Sequence, residues 1–190
     1  MAKFFGNLHM VLLAGLVLAL AVIYSVGDLQ AGVAGLNQIF RWLHLFFGVV
    51  WIGLLYYFNF VQIPTMPKIP AELKPGVSKH IAPSALFFFR WGAAFTVLTG
   101  LIVAHLSGYL TQALMLQVPF QLIGVGMWLA LIMAFNVWFV IWPAQQKALG
   151  LVAADDATKA AAATRAMMFS RTNTLLSLAM FYCMVNANNG

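Results

Sequence analysis

The chain has 190 residues, of which 63% are hydrophobic and only 7% are charged. This balance excludes an ordinary soluble protein and indicates a membrane protein that crosses the bilayer several times. The formal net charge is +6. It does not indicate nucleic-acid binding, because the basic residues are concentrated in particular loops between the apolar stretches. We therefore expect contact with a lipid bilayer and no nucleic-acid partner.

Five stretches are apolar enough over about 20 residues to cross a membrane as helices. In chain order they are residues 9–27, 39–62, 86–109, 120–143 and 167–187. The first resembles a secretory signal, but we count it as a span. Residues 153–166 are predicted to form a short amphipathic approach to the last span. The sequence thus predicts an all-α fold, with residues 1–190 forming a single transmembrane domain of five helices.

The basic residues predict the orientation of this bundle. With five spans, every lysine and arginine except Arg41 falls on one side of the membrane. Lysines and arginines in loops remain cytoplasmic. We therefore expect the N-terminus inside and the C-terminal residues 186–190 outside, in a bacterial inner membrane.

His44 and His105 are expected at similar depths, a few residues from the outer ends of two neighbouring antiparallel spans. At this depth, two imidazoles can hold one metal or haem iron between them. The single cysteine, Cys183, excludes a covalent Cys-x-x-Cys-His attachment, so the haem would be of the b type. The alternative is that each histidine only forms a hydrogen bond between helices. His9 is expected at the membrane interface, and His80 is expected in a loop.

The neighbours of His44 also suit a haem. Gly48 lies one turn away on the same helix face and would let a flat ring approach the backbone. Trp51, two turns away, could pack on such a ring, and Arg41 could pair with its propionates. In the alternative interpretation, Gly48 serves ordinary helix packing and Arg41 extends to the lipid headgroups.

A second polar set is expected near the opposite, cytoplasmic face. It consists of Asn59, Gln62, Asn136, Ser170, Arg171, Asn173 and Ser177. An arginine with amides could bind an anion or a quinone headgroup. We favour the alternative, a network of hydrogen bonds between helices.

Four segments resemble, in order, motifs of the urate oxidase N-terminal family, the membrane domain of bacterial membrane-bound urate hydroxylases. They are Arg41-Trp42-Leu43-His44 with Gly48 and Trp51-Ile52-Gly53, then Phe89-Arg90-Trp91 with Gly100, then Asn136-Val137-Trp138, and finally Ser170-Arg171-Thr172-Asn173. The resemblance implies a membrane-embedded redox domain, which a cytochrome c domain follows in the urate enzymes. It also supports His44 as a ligand.

The chain departs from the family pattern at two places where the family has histidine. Thr172 occupies one of them, and Val185-Asn186-Ala187 lacks the other. The chain also lacks the cytochrome c domain, so it resembles a shortened relative, and we do not expect it to hydroxylate urate alone. Two functions remain open: b-haem electron transfer, with a periplasmic cytochrome as partner, and a non-catalytic accessory role beside other membrane subunits.

Overall fold

A computed structural model of the protein describes residues 1–27 and 32–187. These residues form helices and no strands, which confirms the predicted all-α fold. We number seven continuous helices, and three of them contain π-helical turns. They are α1 (Ala2–Phe5), α2 (Leu8–Val26), α3 (Val33–Lys68), α4 (Lys74–Leu106), α5 (Leu110–Leu114), α6 (Gln121–Ala148) and α7 (Asp156–Asn186).

Four of these helices, α2, α3, α4 and α6, are long and apolar enough to cross a membrane. They correspond to the first four predicted spans. The fifth predicted span lies in α7, which is 31 residues long but is not among the four. The reason is its polar content, since Ser170, Asn173 and Ser177 are buried on its inner face. Five spans and the inside–outside orientation therefore stay predictions, and the terminal residues 188–190 lie outside the described part.

The helices extend beyond the predicted spans. Each of the three long helices α3, α4 and α6 contains a π-helical turn that ends two residues before a proline. These turns are Tyr57–Gln62, Val77–Ile81 and Asn136–Ile141, which precede Pro64, Pro83 and Pro143. Proline lacks an N–H and its ring presses on the preceding turn, which a wider turn relieves. The helices continue through the prolines for this reason.

Two further predictions of local structure are wrong because a helix begins earlier in the chain than predicted. His80 is exposed as predicted, but it lies in the first turns of α4 rather than in a loop. The predicted amphipathic approach at 153–166 is not a separate element, because α7 runs unbroken from Asp156. Asp155 caps this helix by accepting a hydrogen bond from the backbone N–H of Thr158 at 2.8 Å.

Helices α3 and α4 pack closely because glycines on α4 let residues of α3 approach its backbone. A Cβ added at Gly92 would lie 3.2 Å from the backbone nitrogen of Trp51. The core continues to α6 through fully buried Trp51, Leu55, Phe89, Met133 and Val137, and to α7 through buried Met180. Close approach at small residues is the usual way in which membrane helices associate. Helix α2 is different, since none of its residues is buried.

Candidate functional site

A cavity of about 420 Å³ lies between α3, α4, α6 and α7. This volume falls within the range of about 300–1,000 Å³ that is typical of small-molecule sites. Most of its lining is apolar. The side chains of Arg41 and His44 bring nitrogen atoms to it, and Tyr109 brings a hydroxyl group. The cavity therefore has the character of a binding site with a few polar groups placed in an apolar wall.

His44 is held in one orientation by helix α4. Its Nδ1 lies 2.8 Å from the backbone carbonyl oxygen of Thr96 and 3.4 Å from the hydroxyl of Thr99. Because a carbonyl oxygen only accepts, Nδ1 carries the proton and donates it. Nε2 then keeps its lone pair, and none of the described residues forms a hydrogen bond with it. This is the arrangement in which a histidine binds a metal through Nε2 while a carbonyl fixes the other ring nitrogen.

Two glycines lie beside the imidazole on the cavity wall. A Cβ added at Gly100 would lie only 2.7 Å from Cε1 of His44. The imidazole therefore fits here only because residue 100 is a glycine. Gly48 is less tightly surrounded, since a Cβ there would lie 3.8 Å from the nearest atom, Cγ2 of Thr96. Gly48 thus lines the cavity as predicted, and Gly100 is the glycine that positions His44.

Arg41 lies one turn before His44 at the edge of the cavity. Its Nε donates to the side-chain oxygen of Asn37 at 3.0 Å, and the amide of Asn37 donates to the hydroxyl of Ser107 at 2.7 Å. This chain ties the start of α3 to the end of α4. Burial raises the pKa of the Tyr109 phenol, and the charge of Arg41 opposes this rise. Arg41 is exposed, and its other guanidinium nitrogens remain available to an anionic group at the cavity edge.

Trp51 lines the cavity from its deeper side, and its whole side chain is buried. Its indole Nε1–H has no hydrogen-bond partner among the described residues. A buried N–H without a partner is costly, and each such group requires an explanation. The structure therefore places Trp51 at the cavity as the sequence predicted, mainly as a core residue with one unsatisfied donor.

His105 is not brought together with His44. It is exposed and is not one of the residues that line the cavity. It follows Gly100 by five residues, which rotates it about 140° from the face that touches His44. His9 is likewise exposed, at the start of α2. No group of three or more His, Cys, Asp or Glu side chains that could hold a metal ion occurs in the described ranges 1–27 and 32–187.

No pattern in the sequence singles out the methionines of the cavity. Met127 on α6 and Met180 and Met184 on α7 all line it. Apolar methionines in a membrane helix look like packing residues, and only the structure shows that three of them share one wall. Their thioether sulfurs are ligands that accompany histidine in some cytochromes.

The second polar set forms the predicted kind of network between helices. Asn136 donates to the side-chain oxygen of Asn173 at 2.9 Å, and Asn173 donates to the backbone oxygen of Met133 at 2.9 Å. Asn59 donates to the hydroxyl of Ser170 at 2.8 Å. Arg171 does not join this network and is exposed.

The hydrogen bonds of this region are incomplete. Asn59 Oδ1, Gln62 Oε1 and Arg90 Nη1 are buried without a partner among the described residues. The guanidinium of Arg90 also lies 3.3 Å from the ring centre of Trp142. That contact is a close cation–π interaction.

The structure is that of an all-α protein with membrane-capable helices and an apolar cavity lined by one oriented histidine. Residues 119–189 match the family model described as urate oxidase N-terminal, which confirms the predicted family resemblance. The match covers α6 and α7, including Asn136 and Asn173, whereas His44 lies outside it. Comparison with curated proteins and with solved structures found no match.

Proposed function

We propose that the protein is a membrane-embedded electron-transfer protein that binds b-type haem in the cavity, with His44 as an axial ligand. The observation that carries this proposal is the hydrogen bond from Nδ1 of His44 to the carbonyl of Thr96. It leaves Nε2 as the free, basic nitrogen of a histidine that lines an apolar cavity. The proposed location is a bacterial inner membrane, where such a site is dry.

The other cavity residues have roles that suit this group. Gly100 and Gly48 leave the imidazole and the adjoining wall uncovered by side chains. Arg41 would bind a propionate through its free N–H groups, and the apolar wall would exclude water. When bound, haem supplies one-electron oxidation and reduction, while the protein sets its potential through ligand, charge and burial.

A second side chain that would hold the haem iron is better sought among the methionines than at His105. Met127, Met180 and Met184 line the cavity from α6 and α7, whereas His105 is exposed outside it. A thioether paired with histidine raises the reduction potential relative to two histidines. The proposal therefore keeps His44 from the predicted pair and replaces His105 by a methionine.

The test is the absorption spectrum of the purified chain, first oxidised and then reduced with dithionite. We expect a Soret band with about one haem per chain. The band should be lost in His44→Leu and retained in His105→Leu, the matched control on the neighbouring helix. A chain without pigment, after expression with sufficient haem, would contradict the proposal.

A second candidate function is that of an accessory subunit in a larger membrane complex. It is favoured by α2, which is strongly apolar and has no buried residue. Such a helix is covered by lipid or by another subunit. Isolation of the protein in a stoichiometric assembly with no haem bound would favour this function over the first. In neither case do we propose that the chain hydroxylates urate alone.

A further inference from the structure

A second, smaller cavity lies on the surface between the end of α6 and the start of α7. It is a groove of about 230 Å³. The connection between the two helices is short, and Ala144, Ala162 and Ala166 pack them closely together. The groove is separate from the histidine-lined cavity, and the two share no lining residue.

Two cations line this groove and have no acidic partner among residues 1–27 and 32–187. Lys147 on α6 and Arg165 on α7 are both exposed. The ion pair that occurs in the described part of the chain joins Lys159 to Asp156, at 3.1 Å. The guanidinium of Arg165 lies 6.0 Å from the ring centre of Phe169, a contact that leaves its N–H groups free.

The groove also has an apolar end. Phe139 and Val140 lie about two turns before Lys147 on α6 and therefore about 10–12 Å from it along the helix. Thr158 lies at the loop end, where its hydroxyl donates to Asp155 at 2.9 Å. The basic residues are thus the free polar groups of a groove whose other end is hydrocarbon.

We propose that this groove binds an anionic phospholipid, with the phosphate between Lys147 and Arg165 and the upper part of an acyl chain along Phe139 and Val140. The charge complementarity and the apolar length both match a lipid, whereas a free anion would use only the basic end. Basic grooves between membrane helices on the cytoplasmic side bind such headgroups. The proposal requires that α6 crosses a membrane, but it is independent of haem.

The test uses the full chain purified in detergent, with retained lipids counted by native mass spectrometry after incubation with phosphatidylglycerol or phosphatidylcholine of the same acyl chains. We expect phosphatidylglycerol to be retained in preference to phosphatidylcholine. Lys147→Gln with Arg165→Gln should weaken this retention about tenfold or more, because each basic residue contributes to headgroup binding. Lys68→Gln with Lys79→Gln removes the same charge from exposed positions elsewhere and should have little effect.

A second pair of variants fills space in the groove without a change of charge. Ala161 lines the groove and is exposed, whereas its neighbour Ala160 is exposed but does not line it. Ala161→Phe should reduce retention of phosphatidylglycerol, and Ala160→Phe should not. Equal effects of the two charge variants, or equal retention of the two lipids by the unmodified chain, would overturn the proposal. Circular dichroism of each variant would verify its helix content.

Discussion

The imidazole of His44 lies against the backbone of Gly100 so closely that a Cβ at Gly100 would meet Cε1 at 2.7 Å. Helix α4 thereby holds the ring on one side, while the Thr96 carbonyl holds it through Nδ1. The orientation of the proposed ligand thus depends on a residue with no side chain.

Gly100→Ala should therefore displace the imidazole and remove most of the haem absorbance per chain. The new methyl group cannot be accommodated unless the ring or the helix moves. Gly53→Ala is the matched control on α3, since a Cβ there would meet nothing within 4 Å. Haem content of the two variants, measured by absorbance after the same purification, checks this. Equal haem content in both would contradict the role of Gly100.

Arg41→Gln should lower the midpoint potential of the haem by roughly tens of millivolts, which corresponds to a partly screened unit charge near the group. The loss of a positive charge favours the oxidised form, because that form carries one more positive charge. A redox titration followed by absorbance measures the shift. Arg171→Gln is the control, since Arg171 is exposed and does not line the cavity. An equal shift of the midpoint potential in Arg171→Gln would show that the effect comes from the overall charge of the protein and not from Arg41 near the haem.

Asn173→Leu should reduce the free energy of unfolding by about 1–3 kcal/mol, because the amide of Asn136 would be left buried without a partner. Asn173 is fully buried and joins α7 to α6. Thermal unfolding in detergent measures the loss, with exposed Thr172→Val as the control. The double variant with Asn136→Leu should cost less than the sum of the single variants. Strict additivity would show that the two asparagines do not interact.

The start of α7 should become less stable in acid because of Asp155. Hydrogen bonds from the backbone N–H and then the hydroxyl of Thr158 hold the pKa of this carboxyl below its ordinary value. Its stabilisation is therefore complete above the unfolded pKa, about 3.9, and is lost as the pH falls through the lower folded value. Hydrogen-exchange protection of the first turns of α7, measured from about pH 6 to about pH 3, follows this loss.

Asp155→Asn keeps a side chain that caps the helix but does not titrate, so it should remove the dependence on pH. Asp156→Asn is the matched control, because Asp156 pairs with Lys159 instead of capping. Persistence of the acid effect in Asp155→Asn would assign it to another group.

The all-α class could be predicted from the sequence, because a helix needs about 20 apolar residues to cross a bilayer and such stretches are visible in the sequence. It did not predict how far the helices continue. The predicted spans begin or end near Pro64, Pro83 and Pro143, whereas π-helical turns before these prolines let α3, α4 and α6 continue. A π-helical turn holds more residues than an α-helical turn, and the amino-acid composition does not reveal where one occurs.

For the candidate site, neither the level of His105 nor its rotation about α4 was predicted correctly. Counting residues along two antiparallel spans placed His44 and His105 at the same level, whereas His44 contacts Gly100, and His105 lies five residues, or about 7.5 Å along the helix, beyond it. Packing at Gly92 and Gly100 determines which face of α4 meets α3, and that face excludes His105. The methionines of the cavity were missed because they come from α6 and α7, which no spacing within the sequence connects to His44.

Chemical rescue of a ligand variant would show whether the imidazole of His44 holds the haem. His44→Gly removes the imidazole and leaves space beside Gly100, so the purified variant should lack the Soret band of the unmodified chain. Millimolar free imidazole, added with haem, should restore the band in this variant and leave His105→Gly unchanged. A Soret band in His44→Gly without imidazole, or its loss in His105→Gly, would contradict the account.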